Sequence, residues 1–111
     1  KSSILVLGVA YKRDIKDMRE SPALDVINLL EKKGARVLYN DPFVPKFNFN
    51  GHTHRSSKLT RDLLSKVDLV VIATDHTQYD YEWIVQNCKG VFDTRNATKK
   101  VKKGRQKIER L

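Results

Sequence analysis

The chain alternates between short apolar runs and mixed stretches whose periodicity switches from strand-like to helix-like and back. Ser3 to Val9 is a continuous apolar run with β-branched residues, the pattern of a strand buried on both faces. Ser21-Pro22 then marks a helix start. The serine hydroxyl can accept from an otherwise unpaired N–H, and proline at the first helical position gives up no hydrogen bond. Ala23, Val26, Ile27 and Leu30, widened by Leu24, keep one face apolar at helical spacing. Lys32-Lys33 suit the negative end of the helix dipole, and Gly34 stops the helix. Ala35 to Tyr39 reads as a second strand that ends at Asn40-Asp41-Pro42, because proline cannot extend a central ladder. Strand, loop, helix, glycine, strand is a βαβ unit, so its two strands are expected to be parallel.

Phe43 to Ser57 shows no consistent period and reads as an irregular surface excursion. Lys58 to Lys66 is a short helix with Leu59, Leu63 and Leu64 on one face, and Asp68 to Thr74 is the most strand-like segment of the chain. Tyr79 to Cys88 gives a helix presenting Tyr81, Ile84, Val85 and Cys88, with Trp83 partly buried. Gly90 to Phe92 is a short strand, and Gln106 to Leu111 a last edge strand. The expected fold class is α/β: a Rossmann-like, doubly wound, mainly parallel sheet in three α/β/α layers, forming one domain over residues 1–111.

Composition narrows the class. No apolar run approaches the ~20 residues of a membrane span, and Lys1-Ser2-Ser3 leads straight into a strand rather than into a signal peptide. With no initiator methionine and a strand starting at once, the chain is expected to be a piece of a longer one. A single cysteine excludes an internal disulfide and gives no reason to invoke an oxidising compartment, so a cytoplasmic location is expected. Cys88 itself reads as a buried structural thiol, since no base is sequence-paired with it. The net charge of +9 is unevenly placed: beyond Asn96, seven cations stand against Glu109 alone, which leaves only +3 on the body. A solvated basic tail explains most of that charge. No aromatic residues interleave the lysines, so neither nucleic acid nor a membrane is an expected partner.

In a parallel sheet the loops after each strand's carboxyl end converge on one edge, and that edge carries the ligand. Here it collects Tyr11, Lys12 and Arg19 from the first loop and Asp41 from the second. Asp75 and His76 come from the third, and Asp93, Arg95 and Asn96 from the fourth. Three cations, a few carboxylates, an amide and an aromatic suit a polar, anionic ligand such as a phosphate with sugar hydroxyls. The competing reading is plain ion pairing, of Arg19 with Asp14 or Asp17 and of Arg95 with Asp93. His76 is weighed as a catalytic group against a loop-capping or pocket-wall residue, with the second favoured. His52-Thr53-His54 reads as a solvated loop rather than a metal pair, because no cysteine or carboxylate cluster accompanies it. No metal set, Ser–His–Asp arrangement or P-loop stands in the sequence, and the first loop has one glycine where a dinucleotide fingerprint needs three.

The loop GVAYKRDIKDMRESP, residues 8–22, closely resembles the opening of the C-terminal, UDP-binding domain of the nucleotide-sugar dehydrogenases, with Gly8, Tyr11, Lys12, Asp17, Arg19, Glu20, Ser21 and Pro22 matching the pattern. Asp41-Pro42, Ala73-Thr74-Asp75-His76 and Asp93-Thr94-Arg95-Asn96-Ala97-Thr98 match further motifs in the same order, so the resemblance covers essentially the whole chain. The phrases ATDHTQYDYEWI and DTRNATK are most similar to the branch acting on UDP-N-acetylglucosamine, with the UDP-N-acetylmannosamine branch the nearest competitor and the UDP-glucose branch further off.

The resemblance implies oxidation of a sugar C6 alcohol to a carboxylate with two NAD⁺ per product. It also implies an N-terminal domain that holds most of the NAD, a central helical domain of the same chain, and a homo-oligomeric whole. The family's catalytic cysteine lies in its central region and Cys88 does not match it, so no catalytic residue is expected here. Carried over by residue, Tyr11, Lys12 and Arg95 would bind the UDP-sugar. Arg19 would reach the NAD side, with Asp17 and Glu20 orienting the cations. A stand-alone nucleotide-sugar-binding module is the alternative.

Overall fold

The computed structural model describes residues 2–10, 21–49 and 51–110. Its centre is a five-stranded sheet of β1 (Ser3–Leu7), β2 (Arg36–Asn40), β5 (Leu69–Ile72), β6 (Val91–Asp93) and β7 (Ile108–Arg110), in the spatial order β2-β1-β5-β6-β7. Every neighbouring pair is parallel. The remaining strands, β3 (Lys46–Phe49) and β4 (His52–Arg55), form a separate antiparallel hairpin. Among the described residues the α-helices are α1 (Pro22–Lys32), α2 (Arg61–Lys66) and α3 (Tyr81–Asn87).

Side-chain alternation along the strands divides the core in two. Leu5 and Leu7 of β1, Val70 and Ile72 of β5 and Val91 of β6 pack with Leu64 of α2 and Ile84 and Val85 of α3. Ile4, Val6 and Val71 point the other way and pack with Ala23 and Ile27 of α1. This is the expected three-layer α/β/α arrangement, with α1 on one face and α2 and α3 on the other.

The local chemistry explains the boundaries. Ser21 caps α1 by accepting the Ala23 N–H, with Pro22 next. The second helix begins later than its pattern suggests, at Arg61, because Thr60 is the cap and accepts the Leu63 N–H; Leu59 still packs on the core. Asp80 caps α3 through the Trp83 N–H. Cys88, at the end of α3, is buried, and burial pushes its thiol up despite the Lys107 charge beside it.

Two expectations are corrected. The described residues of 43–57 are not irregular: Lys46–Phe49 pairs antiparallel with His52–Arg55, Phe49 opposite His52, and Gly51 has φ +77°. Asn50-Gly51 is a hairpin dipeptide, and Lys46-Phe47-Asn48-Phe49 alternates as a strand should. Phe47 is buried against Tyr39, ring centroids 5.0 Å apart, and His54, its cross-strand partner, stacks on it with centroids 4.8 Å apart. The basic tail is not merely solvated either. The Lys107 ammonium donates to the carbonyls of Val85 (3.0 Å) and Cys88 (3.1 Å), and lies 3.4 Å from that of Gln86, at the end of α3. There it meets carbonyls a helix leaves unpaired and the negative end of its dipole. Arg105 likewise donates to the carbonyls of Thr98 and Val101, which anchors the last connection to β7. No helix among the described residues is long and apolar enough to cross a membrane.

Candidate functional site

The loops after β1, β2, β5 and β6 all leave the carboxyl edge of the sheet, and two buried carboxylates organise them. The first is Asp93, the last residue of β6, 1% exposed. Its Oδ1 accepts the N–H groups of Arg95 (3.0 Å) and Ala97 (3.1 Å), and its Oδ2 accepts the N–H (2.8 Å) and hydroxyl (2.6 Å) of Thr98. Four donors on one carboxylate wind residues 94–98 into a tight turn. Asn96 sits in it at φ +58°, a conformation asparagine tolerates better than most residues. Burial pushes the Asp93 carboxyl up, but the bonds from Thr98, Arg95 and Ala97 outweigh it and hold the group below the usual carboxylate range.

The second is Asp41, just past β2, 2% exposed. Its Oδ2 accepts the N–H groups of Val9 (2.8 Å) and Ala10 (3.2 Å) and lies 2.9 Å from His76 Nε2, while Oδ1 accepts the Phe43 N–H (2.8 Å). Here too burial raises the pKa, and the bonds from His76, Val9 and Phe43 with the His76 charge bring it below the ordinary value. Because an ionised carboxylate only accepts, His76 Nε2 carries the shared hydrogen. His76 is fully buried, its ring against Phe43 and Tyr79, so the loop-holding reading of this residue is the one its surroundings support.

Between the loops after β5 and β6 lies a cavity of about 330 Å³. Asp75 and Thr77 line it from the first loop, Tyr81 from α3, Arg95, Asn96 and Ala97 from the second, and Lys99 and Lys100 from the residues just beyond. Arg95 also lines a neighbouring, largely apolar cavity of about 400 Å³ with Val26, Val71, Ala73 and Phe92. The structure thus brings Asp75, Arg95 and Asn96 together as expected. It withdraws Asp41, Asp93 and His76 from the ligand-facing set, since all three are buried and engaged within the protein. The bond from Arg95 to Asp93 runs through the arginine's backbone N–H, which is loop geometry rather than a rim ion pair. Tyr11, Lys12 and Arg19, with Asp17 and Glu20, lie outside the described residues.

Lys99 and Lys100 were expected in the tail, yet they wall the cavity; their position directly after the fourth loop was the available signal. Tyr81 packs on the core as its helical position predicts and also lines the cavity, its hydroxyl donating to the His76 carbonyl at 2.9 Å. His52 and His54 stand on one strand of the hairpin, and the described residues contain no group of three potential metal ligands.

A dinucleotide cradle does not fit the described part of the first loop. Gly8 has φ +84°, and a Cβ there would lie 2.4 Å from the Thr74 side chain. This glycine therefore serves the packing of two loops rather than the approach of a pyrophosphate. The Val9 and Ala10 N–H groups that follow are already taken by Asp41.

Comparison with known proteins agrees with this architecture. The sequence profile of the UDP-glucose/GDP-mannose dehydrogenase family, UDP binding domain, matches residues 5–100. The chain is 33% identical over 104 residues to a UDP-N-acetyl-D-mannosamine dehydrogenase of Methanococcus maripaludis, covering 86% of this chain and 23% of that protein. Among solved structures it superposes on the UDP-D-ManNAc dehydrogenase of Pyrococcus horikoshii with a TM-score of 0.69 and 29% identity, over 93% of this chain and 23% of the other. A UDP-glucose dehydrogenase from Pyrobaculum islandicum gives a TM-score of 0.69 at 30% identity, over 97% and 24%. The chain spans about a quarter of the length of these relatives. It belongs to the UDP-glucose/GDP-mannose dehydrogenase family, whose UDP-binding domain it matches along nearly its whole length.

Proposed function

We propose that this chain is the UDP-sugar-binding domain of a longer, NAD-dependent nucleotide-sugar 6-dehydrogenase, and that the sugar is a UDP-N-acetylhexosamine oxidised at C6 to its uronic acid. The observation that carries the reading is the cavity at the carboxyl edge, where Arg95, Asn96, Lys99 and Lys100 converge while Asp41 and Asp93 are turned into the protein. An arginine fork suits phosphate oxygens bidentately and lysines add point charge, so a diphosphate is the ligand chemistry this wall favours. Tyr11 and Lys12 would complete the contact with the UDP-sugar, Lys12 near the sugar or phosphate, and Arg19 would reach the NAD side. NAD itself is assigned to another domain of the longer protein, because the described part of the first loop, Gly8 to Ala10, offers it no cradle.

For the sugar, the fourth-loop sequence Asp93-Thr94-Arg95-Asn96-Ala97-Thr98 supports UDP-N-acetylglucosamine. The second reading is its mannosamine epimer, favoured by the names of several relatives.

A panel of UDP-sugars with NAD⁺, offered to the full-length protein, tests both. NADH should form with a UDP-N-acetylhexosamine faster than with UDP-glucose. Absence of NADH with every UDP-sugar would overturn the enzymatic reading, and a clear preference for UDP-glucose would overturn the choice of sugar. Arg95→Ala should raise KM for the UDP-sugar about tenfold or more, the loss of one charge-assisted contact. Unchanged kinetics would remove Arg95 from the site.

A further inference from the structure

The dipeptide Val9–Ala10, which leads from β1 into the first loop, is held more completely than packing requires. Both of its N–H groups go to Asp41 Oδ2, at 2.8 and 3.2 Å. The Val9 carbonyl accepts the Ser21 hydroxyl at 2.6 Å, and the Ala10 carbonyl accepts the Thr74 hydroxyl at 2.7 Å. One residue earlier, the Gly8 N–H donates to the Asn40 carbonyl at 2.8 Å. All four backbone polar groups of the dipeptide are therefore bonded to side chains, and those side chains come from three different places: the start of α1, the loop after β2 and the end of β5. Ser21 is 4% exposed, Asp41 2%, and Thr74 and His76 fully buried. His76 sits behind the arrangement, and its Nε2, 2.9 Å from Asp41 Oδ2, holds that carboxylate in place from a fourth direction.

A hydrophobic core would not need this. Val9 and Ala10 are themselves fully buried apolar residues, and a backbone turn could have satisfied their polar groups locally. Side-chain donors and acceptors drawn from separate loops instead fix the direction in which the chain leaves the sheet. In sequence the next residues are Tyr11 and Lys12.

We infer that Ser21, Asp41, Thr74 and His76 act together as a positioning frame, which clamps the Val9–Ala10 backbone where the chain leaves the sheet at its carboxyl edge, and that UDP affinity depends on this clamp. None of the four touches the ligand; they act through the dipeptide. The inference rests on the functional reading above and adds to it a set of residues on which affinity depends at a distance.

The sharpest perturbation is Thr74→Val, which keeps shape and volume and removes only the hydroxyl donated to Ala10. The companion pair is His76→Phe, which removes the donor to Asp41, and His76→Gln, which restores one. UDP is the probe, titrated calorimetrically into the full-length protein, with hydrogen exchange followed by mass spectrometry on a peptide containing Val9 and Ala10. Thr74→Val and His76→Phe should each weaken UDP about tenfold, the effect of one buried hydrogen bond lost. Each should also speed exchange in that peptide, while Thr74→Ser and His76→Gln stay within about threefold of wild type. Leu64→Ala, on the opposite face of the sheet, is the control for general destabilisation and should leave UDP affinity within the same threefold.

If Thr74→Val binds UDP as tightly as wild type, the frame does no positioning and the inference fails. Equal weakening by Leu64→Ala overturns it too, because the effect is then one of overall stability. If His76→Phe does not fold, the isosteric Thr74→Val decides alone. A wild-type protein that does not bind UDP overturns the functional reading and this inference with it, whereas tight wild-type binding unmoved by the variants overturns the frame only.

Discussion

Replacing Asp93 by asparagine changes one atom and should disorganise the whole fourth loop. The carboxylate accepts four hydrogen bonds of 2.6 to 3.1 Å, two on each oxygen. Asparagine keeps one carbonyl oxygen and turns an amide NH₂ toward the other pair of donors. If the carbonyl stays with Arg95 and Ala97, the NH₂ faces Thr98. The Thr98 hydroxyl can rotate to accept, but its N–H cannot, and Thr98 is fully buried with no access to water. An orphaned buried donor costs about 1–3 kcal/mol, and each surviving bond loses the charge that made it strong. The net loss is about 2–4 kcal/mol, or roughly 8–16 °C in Tm for a chain of this length. Thermal and urea unfolding of the chain at neutral pH measures it, with Asp93→Ala expected to lose more. An asparagine variant within about 0.5 kcal/mol of wild type would show that the carboxylate does not organise the loop, and the account of how Arg95 and Asn96 reach the cavity would go with it.

Gly8→Ala should cost about 3 kcal/mol or more, because the added Cβ would lie 2.4 Å from the Thr74 Cβ and 2.7 Å from its carbonyl oxygen, at a φ of +84°; a melt close to wild type refutes this packing. Lys107→Met should lower stability by about 1–2 kcal/mol through the carbonyls it leaves at the end of α3, whereas Lys103→Met, at an exposed position, should change it by less than about 0.5. Equal effects in chemical denaturation would return Lys107 to the solvated tail. Asp41 and Asp93 both titrate below their ordinary value of 3.8 in the folded chain. The stability they contribute is therefore fully present above that value and is lost as pH falls through their lower folded values. Urea midpoints measured from about pH 6 down to pH 2 should drop at the acid end, and the drop should shrink in Asp93→Asn.

The sheet was legible because a parallel strand covered on both faces announces itself as an unbroken apolar run, as in Leu5-Val6-Leu7 and Leu69-Val70-Val71-Ile72. The first helix was legible because Ser21-Pro22 performs its capping chemistry locally. The hairpin was obscured by β4, His52-Thr53-His54-Arg55, which has no apolar member and gets its order from pairing with β3. Nor could charge alone separate Lys107 from its neighbours, since what distinguishes it is a helix end about twenty residues earlier in the chain. The site divided in the same way. Position at the carboxyl end of a strand is written in the sequence, so Arg95 and Asn96 were placed correctly. The direction of a side chain is not, and Asp41 and Asp93 turn inward because backbone N–H groups of their own and neighbouring loops need acceptors there.

That inward turn bears on which ligand the edge can take. Counted by position alone, Asp41, Asp75 and Asp93 equal Arg95, Lys99 and Lys100 in number, so these six positions by themselves favour neither sign. In the structure only Asp75 of the three carboxylates lines the cavity, and it stands among three cations. A carboxylate saturated by donors inside the protein organises the cation-bearing loop, while one on the cavity wall adds its negative charge beside the ligand. The same chemical change should then act with opposite signs at two places. Asp75→Asn should tighten UDP about two- to fivefold, an effect that fades as salt is raised, because it removes one partly screened like charge from the wall. Asp93→Asn should loosen UDP at any ionic strength, because it releases the turn that carries Arg95. Calorimetric titrations of both variants at low and high salt distinguish the two roles. If both substitutions shift affinity in the same direction, the division between a carboxylate that shapes the loop and one that faces the ligand is wrong.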